Sequence, residues 1–288
     1  MGYSGRYHAT SLIAVFLALA VGIVIGAALG GDTIDKTRKD LEQSLTGNLQ
    51  DARDRADELN SELGRANEFS SRVYPVLVRD QLRDRRIGVL ALGDLPQGVL
   101  DSIEDALEPT GARLVAVGVV REPLDTRALA GDLDKTRFAD LARNPDNQTA
   151  LGVGVGRQLV LGGTLLEPVR GQLFSRASGN FGALDGVIVV RDQPQDMGPQ
   201  QRATAGRFEA GLVSGITATR APAVGVEASD AETSSVSFFV GNDLASVDDV
   251  DLVAGRLATV FALLGAEGSF GVKGSADRLL PDLLAPRE

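Results

Sequence analysis

Chemistry at a protein site usually draws on His, Cys or Met, and this chain of 288 residues is nearly without them: it has no Cys, one His at position 8, and two Met at positions 1 and 197. Thiolate metal sites and disulfides are therefore impossible, and the redox compartment cannot be read from cysteine usage. His8 lies beside an apolar N-terminal run, so neither a Ser-His-Asp nor a Cys-His arrangement can be assembled within a folded domain. Two stretches invite a chemical reading. Gly152-Val153-Gly154-Val155-Gly156-Arg157 has the look of a phosphate loop, yet it lacks the G-x-G-x-x-G spacing and the Lys followed by Ser or Thr that complete such loops. Glycines that permit close packing are the better reading. Asp248, Asp249 and Asp251 in SVDDVD could serve as paired general acids and bases, but with 39 Asp and Glu in the chain carboxylate pairs are common on any surface, and loop or helix-capping roles are expected. No catalytic residue, metal ligand or cofactor is assigned, and the chain is expected not to be an enzyme.

The net charge of −10 and pI near 4.8 argue against a nucleic-acid partner, which would need Lys and Arg to neutralise phosphates. They argue equally against a body lying flat on anionic lipid. With 43% hydrophobic residues, the chain can build one sizeable domain or two small ones.

The elements that would position any site begin with Ala9 to Leu29, which carries no charged residue. At about 1.5 Å per residue it reaches roughly 31 Å, and the bilayer hydrocarbon is about 30 Å thick. A permanent single-pass anchor over residues 9–30, after a tail of 1–8, is the reading; a cleaved signal peptide, with an apolar core of about 7 to 15 residues, is the alternative. Ala14, Ala18, Gly22, Gly26 and Gly30 recur at every fourth position, which lines one helix face with small residues and favours self-association in lipid. Arg6 before the run is outnumbered by Lys36, Arg38 and Lys39 after it, so a bare count of cations keeps the C-terminal side in the cytoplasm. Those cations are diluted by Asp32, Asp35 and Asp40 and sit beyond an expected break at Gly30-Gly31.

Residues 31–75 turn abruptly to charge, with no proline before Pro75. Leu49, Ala56, Leu63 and Ser70 fall at heptad position a, and Leu45, Ala52, Leu59, Ala66 and Val73 at d. This narrow seam predicts a coiled-coil stalk and, with the anchor, a homo-oligomer; a helix lying on its own domain is the alternative, though that needs a broader apolar face. Beyond residue 80 the period changes. Strands are expected at Arg86 to Leu92, Ala112 to Val120, Gly186 to Val190 and Ala223 to Val226. Helices are expected at Val99 to Glu108, about Gln201 to Thr217 and Gly255 to Leu264. Apolar stretches run from Leu151 to Leu161 and Leu165 to Phe174, and 125–147 reads as a polar excursion with short helices. Continuous apolar strands between amphipathic helices predict a mostly parallel, doubly wound α/β domain over 80–288, covered on both faces.

Three parts taken together carry a resemblance: the anchor opening His8-Ala9-Thr10-Ser11-Leu12-Ile13-Ala14-Val15-Phe16-Leu17-Ala18-Leu19-Ala20 with Val21 to Gly26, the heptad helix behind it, and Ser246-Val247-Asp248-Asp249-Val250-Asp251 leading to Gly255-Arg256 and Val260 to Leu263. The chain resembles the actinobacterial family named after mycobacterial copper transport protein B. That resemblance implies a cell-envelope protein of copper transport, efflux and homeostasis, held in the cell membrane with its C-terminal domain extracytoplasmic, against the cation count. Ser246, Asp248, Asp249, Asp251, Gly255 and Arg256 are then family-motif residues without an assigned role. Copper enters by this resemblance alone. Where members of the family can close on a Gly-His-Tyr-Gly type segment, this chain has Gly268-Ser269-Phe270-Gly271, and of copper's preferred thiolate, thioether and imidazole ligands the domain holds only Met197, so no soft site can be built in it. An envelope scaffold or sensor that binds a protein or cell-wall ligand without holding metal is the competing function.

Overall fold

The computed structural model describes residues 5–134, 136, 139 and 147–282, giving the backbone alone at 5–8, 29–38, 40, 126 and 130. The chain forms two units, Met1–Ala66 and Asn67–Glu288.

The first unit is helix over its described residues. Helix α1 (Gly5–Val78) runs through Gly30-Gly31 without the expected break; a glycine costs a helix about 1 kcal/mol relative to alanine, and two in a long helix weaken it without ending it. Ala9–Ala28 is long and apolar enough to cross a membrane, and none of it is buried within the chain. Ala14 and Ala18 are exposed, and a Cβ added at Gly22 or Gly26 would meet nothing within 4 Å. The side-chain surroundings of His8 and of Gly30 lie outside the described residues. Leu45, Leu49, Leu59 and Leu63 are between 54% and 60% exposed, so these four leucines are not buried within the described chain.

The second unit is an α/β domain. Its elements after α1 are β1 (Arg86–Gly93), α2 (Gln97–Leu107), a 3-10 turn (Glu108–Thr110), β2 (Arg113–Val120), α3 (Thr126–Leu133), α4 (Gln148–Leu161), α5 (Leu166–Leu173), β3 (Phe174–Gly179), β4 (Gly186–Asp192), α6 (Pro199–Thr217), β5 (Ala223–Val226), α7 (Val236–Gly241), β6 (Ala245–Val247), α8 (Val253–Ala262) and β7 (Ser269–Phe270). One seven-stranded sheet has the order β3-β2-β1-β4-β5-β6-β7. Every neighbouring pair is parallel except β2 with β3. The order therefore runs outward in two directions from the β1–β4 pair, where Val89 faces Val117 on one side and Ile188 on the other.

Both faces of the sheet are covered, which is why β1 and β4 are unbroken apolar runs rather than alternating ones. Ile87, Val89, Ala91, Ile188 and Val190 pack with Tyr74 and Val78 of α1, Ile103 and Leu107 of α2, and Leu257 and Val260 of α8. The intervening Leu90, Leu92, Val187 and Val189 pack on the other side with Leu151 and Leu159 of α4 and Phe208, Leu212 and Ile216 of α6. Val153 to Gly156 sits inside α4, so it forms no phosphate loop. A Cβ at Gly152 would lie 2.2 Å from the Phe208 carbonyl oxygen, and one at Gly156 would lie 2.1 Å from that of Leu212. In return, Gly211 and Gly215 of α6 leave room for the carbonyls of Thr149 and Val153, at 2.1 and 2.3 Å. The two helices touch backbone to backbone.

The polar stretch after β2 begins with α3, whose N-cap Asp125 accepts from the amides of Arg127 and Ala128 at 3.1 and 2.9 Å, the usual satisfaction of first-turn donors. Of the expected excursion, residues 135, 137, 138 and 140–146 lie outside the described residues.

Candidate functional site

In a parallel sheet all strands deliver their carboxyl ends to one edge, and where the strand order reverses the neighbouring connections diverge to opposite faces and leave a crevice. Here that place lies beyond the ends of β1 and β4, where the Asp94 amide donates to the Asp192 carbonyl at 2.8 Å. A cleft of about 840 Å³ opens there, within the range of small-ligand sites. Its walls are the start of α2 (Pro96, Gly98, Val99), the end of β4 with the segment following it (Arg191 to Gln195), Arg202 of α6, and residues of the loop following β5 between Glu227 and Ser235, with Asp251. A Cβ at Gly98 would meet nothing within 4 Å, so the cleft is open over that residue.

A buried polar network forms the floor. Glu209 of α6 is fully buried; it accepts from Arg191 Nε at 3.0 Å and from Gln193 Nε2 at 2.7 Å. The Arg191 guanidinium also stacks 4.4 Å above the Phe238 ring. Ser235 ties the next strand in: its Oγ donates to the Arg191 carbonyl at 3.0 Å, and its amide donates to Glu227 Oε2 at 2.6 Å. Lys273 Nζ then donates to Glu227 Oε1 at 2.7 Å and to the Ala228 carbonyl at 2.9 Å. Lys273, Glu227, Arg191 and Glu209 thus alternate in charge and sum to zero, the condition for keeping ions out of water.

Glu122, just beyond β2, is a further carboxyl beside this network. Both of its carboxyl oxygens are shielded from water and, apart from the adjoining Glu209 carboxyl, have no hydrogen-bond partner among the described residues. Burial first, then the neighbouring Glu209 carboxyl, pushes it up to about 9, with Arg191 acting in the opposite sense. Glu122 therefore holds its proton at neutral pH. At the rim, burial and then the nearby Asp94 and Glu232 raise Asp192 above the ordinary carboxylate range.

The SVDDVD residues meet at this edge as ties. Asp248, fully buried, accepts from the amides of Val272 at 2.8 Å and Lys273 at 3.2 Å. The tie leaves no room for a side chain at Gly271, where a Cβ would sit 1.9 Å from Asp248 Oδ1 and φ is 137°. Asp251 accepts from the Ser229 amide and hydroxyl, both at 2.7 Å, which fixes the loop forming the cleft's far wall. Ser246 Oγ donates to Ser269 Oγ at 2.8 Å, joining β6 to β7. Gly255 lets α8 start against the Asp249 carbonyl, 2.0 Å from where its Cβ would be. Arg256 pairs with Asp105 of α2 at 3.2 Å. Asp249 is fully buried, both its carboxyl oxygens lack a partner among the described residues, and burial, then Asp248 and Asp251, push it up to about 6.

The motif residues therefore fall together around one corner of the sheet, while Ala14, Ala18, Gly22, Gly26 and the four seam leucines lie on α1 and are not among the residues lining the cleft. Sequence reasoning did not single out Glu122, Arg191, Glu209, Glu227 or Lys273. The one available signal was Arg191-Asp192, the charge that ends the apolar run GVIVV.

A family model described as copper transport outer membrane protein, MctB, matches residues 3–281. The chain belongs to the MctB family. Two curated relatives, each named copper transporter MctB, from Mycobacterium bovis and Mycobacterium tuberculosis, are 25% identical over 296 residues, covering 90% of this chain and 91% of the relative. Against that family's cargo, the donor set of this MctB-family domain is hard: the cleft offers carboxylates, amides, hydroxyls and two guanidinium groups, whereas copper favours sulfur and imidazole. Among the described residues no group of three or more His, Cys, Asp or Glu is placed to hold a metal ion.

Proposed function

We propose that this MctB-family chain serves copper homeostasis from the cell envelope, and that its domain does so by engaging a ligand or protein in the carboxyl-edge cleft rather than by holding copper itself. The observation that carries this reading is the cleft: it stands where a doubly wound sheet places a ligand, and its lining has no soft donor. Ala9–Ala28 anchors the protein in the cell membrane, the small-residue stripe and the Leu45 to Leu63 seam pair it with a second copy as a coiled coil, and the domain faces the cell exterior without catalysing a reaction. Long domains cross largely regardless of flanking charge, so Lys36, Arg38 and Lys39 do not oppose that orientation.

The test uses a deletion strain grown on copper and complemented with full-length chain or with Gly98→Trp, which fills the cleft from a position with open space above it. The deletion is expected to be copper-sensitive, the wild type to restore growth, and the Gly98→Trp protein to fold, to accumulate with its domain open to external protease, and to fail. Full restoration by Gly98→Trp would remove the cleft from the function. A normal copper response with a weakened envelope would favour the scaffold reading, and tight Cu(I) binding by the purified protein would overturn the indirect role.

A further inference from the structure

Helix α1 enters the domain with two faces. Tyr74 is 6% exposed and its hydroxyl donates to the Ala106 carbonyl at 2.6 Å, and Val78 is fully buried. These two fasten the helix to the sheet's cover. On the other side Phe69 is 68% exposed, Val76 65% and Leu77 43%, with Val73 half-buried among them. Single exposed apolar residues are ordinary, but three exposed and one half-buried on one side of a helix within little more than two turns, one of them aromatic, form a face that the described residues leave largely uncovered.

The heptad frame says what fits that face. With Leu49 and Leu63 at a and Leu45 and Leu59 at d, Val73 is again a d position and Leu77 an a position, with no insertion or skip between 45 and 77. Phe69 and Val76 are at g, where coiled coils usually place charge. Pro75 is at f, off the seam. We infer that a second copy of this chain covers the Phe69, Val73, Val76 and Leu77 face, in parallel and in register, so that the pairing begun in the stalk continues onto the domain. The inference rests on the stalk pairing proposed above, and it makes the domain part of the contact rather than a passenger. In a parallel pair, g residues reach toward the e flank of the other helix. In this chain the e flank is where Tyr74 docks the domain, so apolar Phe69 and Val76 would meet the second copy's domain side instead of water. Apolar residues at g are intelligible on that arrangement and on no arrangement in which they stay wet.

The chain has no Cys, which makes single substitutions clean reporters of proximity. Full-length protein in membranes carrying Leu63→Cys, Leu77→Cys or the off-seam Arg72→Cys is oxidised and its disulfide-linked dimer followed with time. Leu63→Cys and Leu77→Cys are expected to link at similar rates, faster than Arg72→Cys by about tenfold or more, as effective concentration at a seam dictates. Rapid linkage at 63 with linkage at 77 no faster than at 72 would overturn the inference and leave the stalk pairing intact; slow linkage at both would overturn both. A second arm adds Phe69→Lys with Val76→Lys. These exposed changes should leave the domain's thermal midpoint unmoved, slow linkage at 77 by about tenfold and spare linkage at 63. Unchanged linkage at 77, or a product containing a different protein, would overturn the inference.

Discussion

The chain uses small residues at spacing four twice, once between α4 and α6 and once along the anchor, and the two uses differ in what surrounds them. In the domain, Gly152 and Gly156 face Gly211 and Gly215 across a contact so close that any Cβ would collide with backbone. In the anchor, Gly22 and Gly26 have nothing within 4 Å. Spacing allows close approach but does not supply the partner. In water the partner comes from the same chain, because hydrophobic burial of Phe208, Leu212 and Leu151 forces α4 onto the sheet's cover. In lipid no such force acts between helices, and a partner has to come from another molecule through packing alone.

The largest expected effect breaks the domain's version of the motif. Gly156→Leu puts a side chain into the Leu212 carbonyl and should destabilise the domain by about 3 kcal/mol or more, read as a large fall in thermal midpoint or loss of the folded protein. Gly22→Leu with Gly26→Leu should leave that midpoint unchanged and lower crosslinking in membranes. Equal effects of the two changes on the domain melt would erase the distinction.

The same contrast holds for charge. Lys273 and Glu227 pair with side chains 20% and 5% exposed, whereas Arg72 and Glu68 pair on the outside of α1 at 79% and 63%. Lys273→Met strands Glu227 beside the cleft and should cost about 2–3 kcal/mol by denaturant titration. Arg72→Ala should cost no more than about 0.5 kcal/mol. A small loss for Lys273→Met would mean that water reaches Glu227.

A further effect is one of sign. Glu122 has an ordinary value of 4.5 and stands at about 9 in the fold, so the folded chain binds the extra proton more tightly than the unfolded one. Its contribution to stability is complete below about pH 4.5 and is lost as pH rises toward 9. Glu122→Gln keeps the shape and removes the titration. It should flatten that decline and raise stability near pH 8, with no gain near pH 4. A variant less stable than wild type at pH 8 would show that Glu122 is paired and ionised in solution.

What the sequence made legible follows the same line between local and distant causes. Strands β1, β2, β4 and β5 were visible because burial on both faces leaves an unbroken apolar signature, and α6 and α8 because one face repeats at helical spacing. Strand β3, Phe-Ser-Arg-Ala-Ser-Gly, was invisible: it is an antiparallel edge with little to bury, so its composition reads as loop. Strands β6 and β7, of three and two residues, are too short for any period. Gly152 and Gly156 pointed to packing, but their partners Gly211 and Gly215 lie on another helix that only the fold brings near. The SVDDVD carboxylates stood out as a group, yet their role as ties depends on Ser229, Val272 and Lys273, and the Glu122, Arg191 and Glu209 cluster joins three elements that no spacing connects.

The two lateral margins of the sheet set how copies of the domain can meet. An unpaired margin presents free amides and carbonyls that can recruit another chain's strand and seed aggregation. Here one margin is β3, with exposed Ser175 and Arg176 in its middle. The other is β7, two residues long and backed by a bridge from Phe270 to Arg278. Both are poor templates for strand addition. Were the proposed helix pairing to hold two domains side by side at a membrane, their sheets would therefore not fuse into a continuous one.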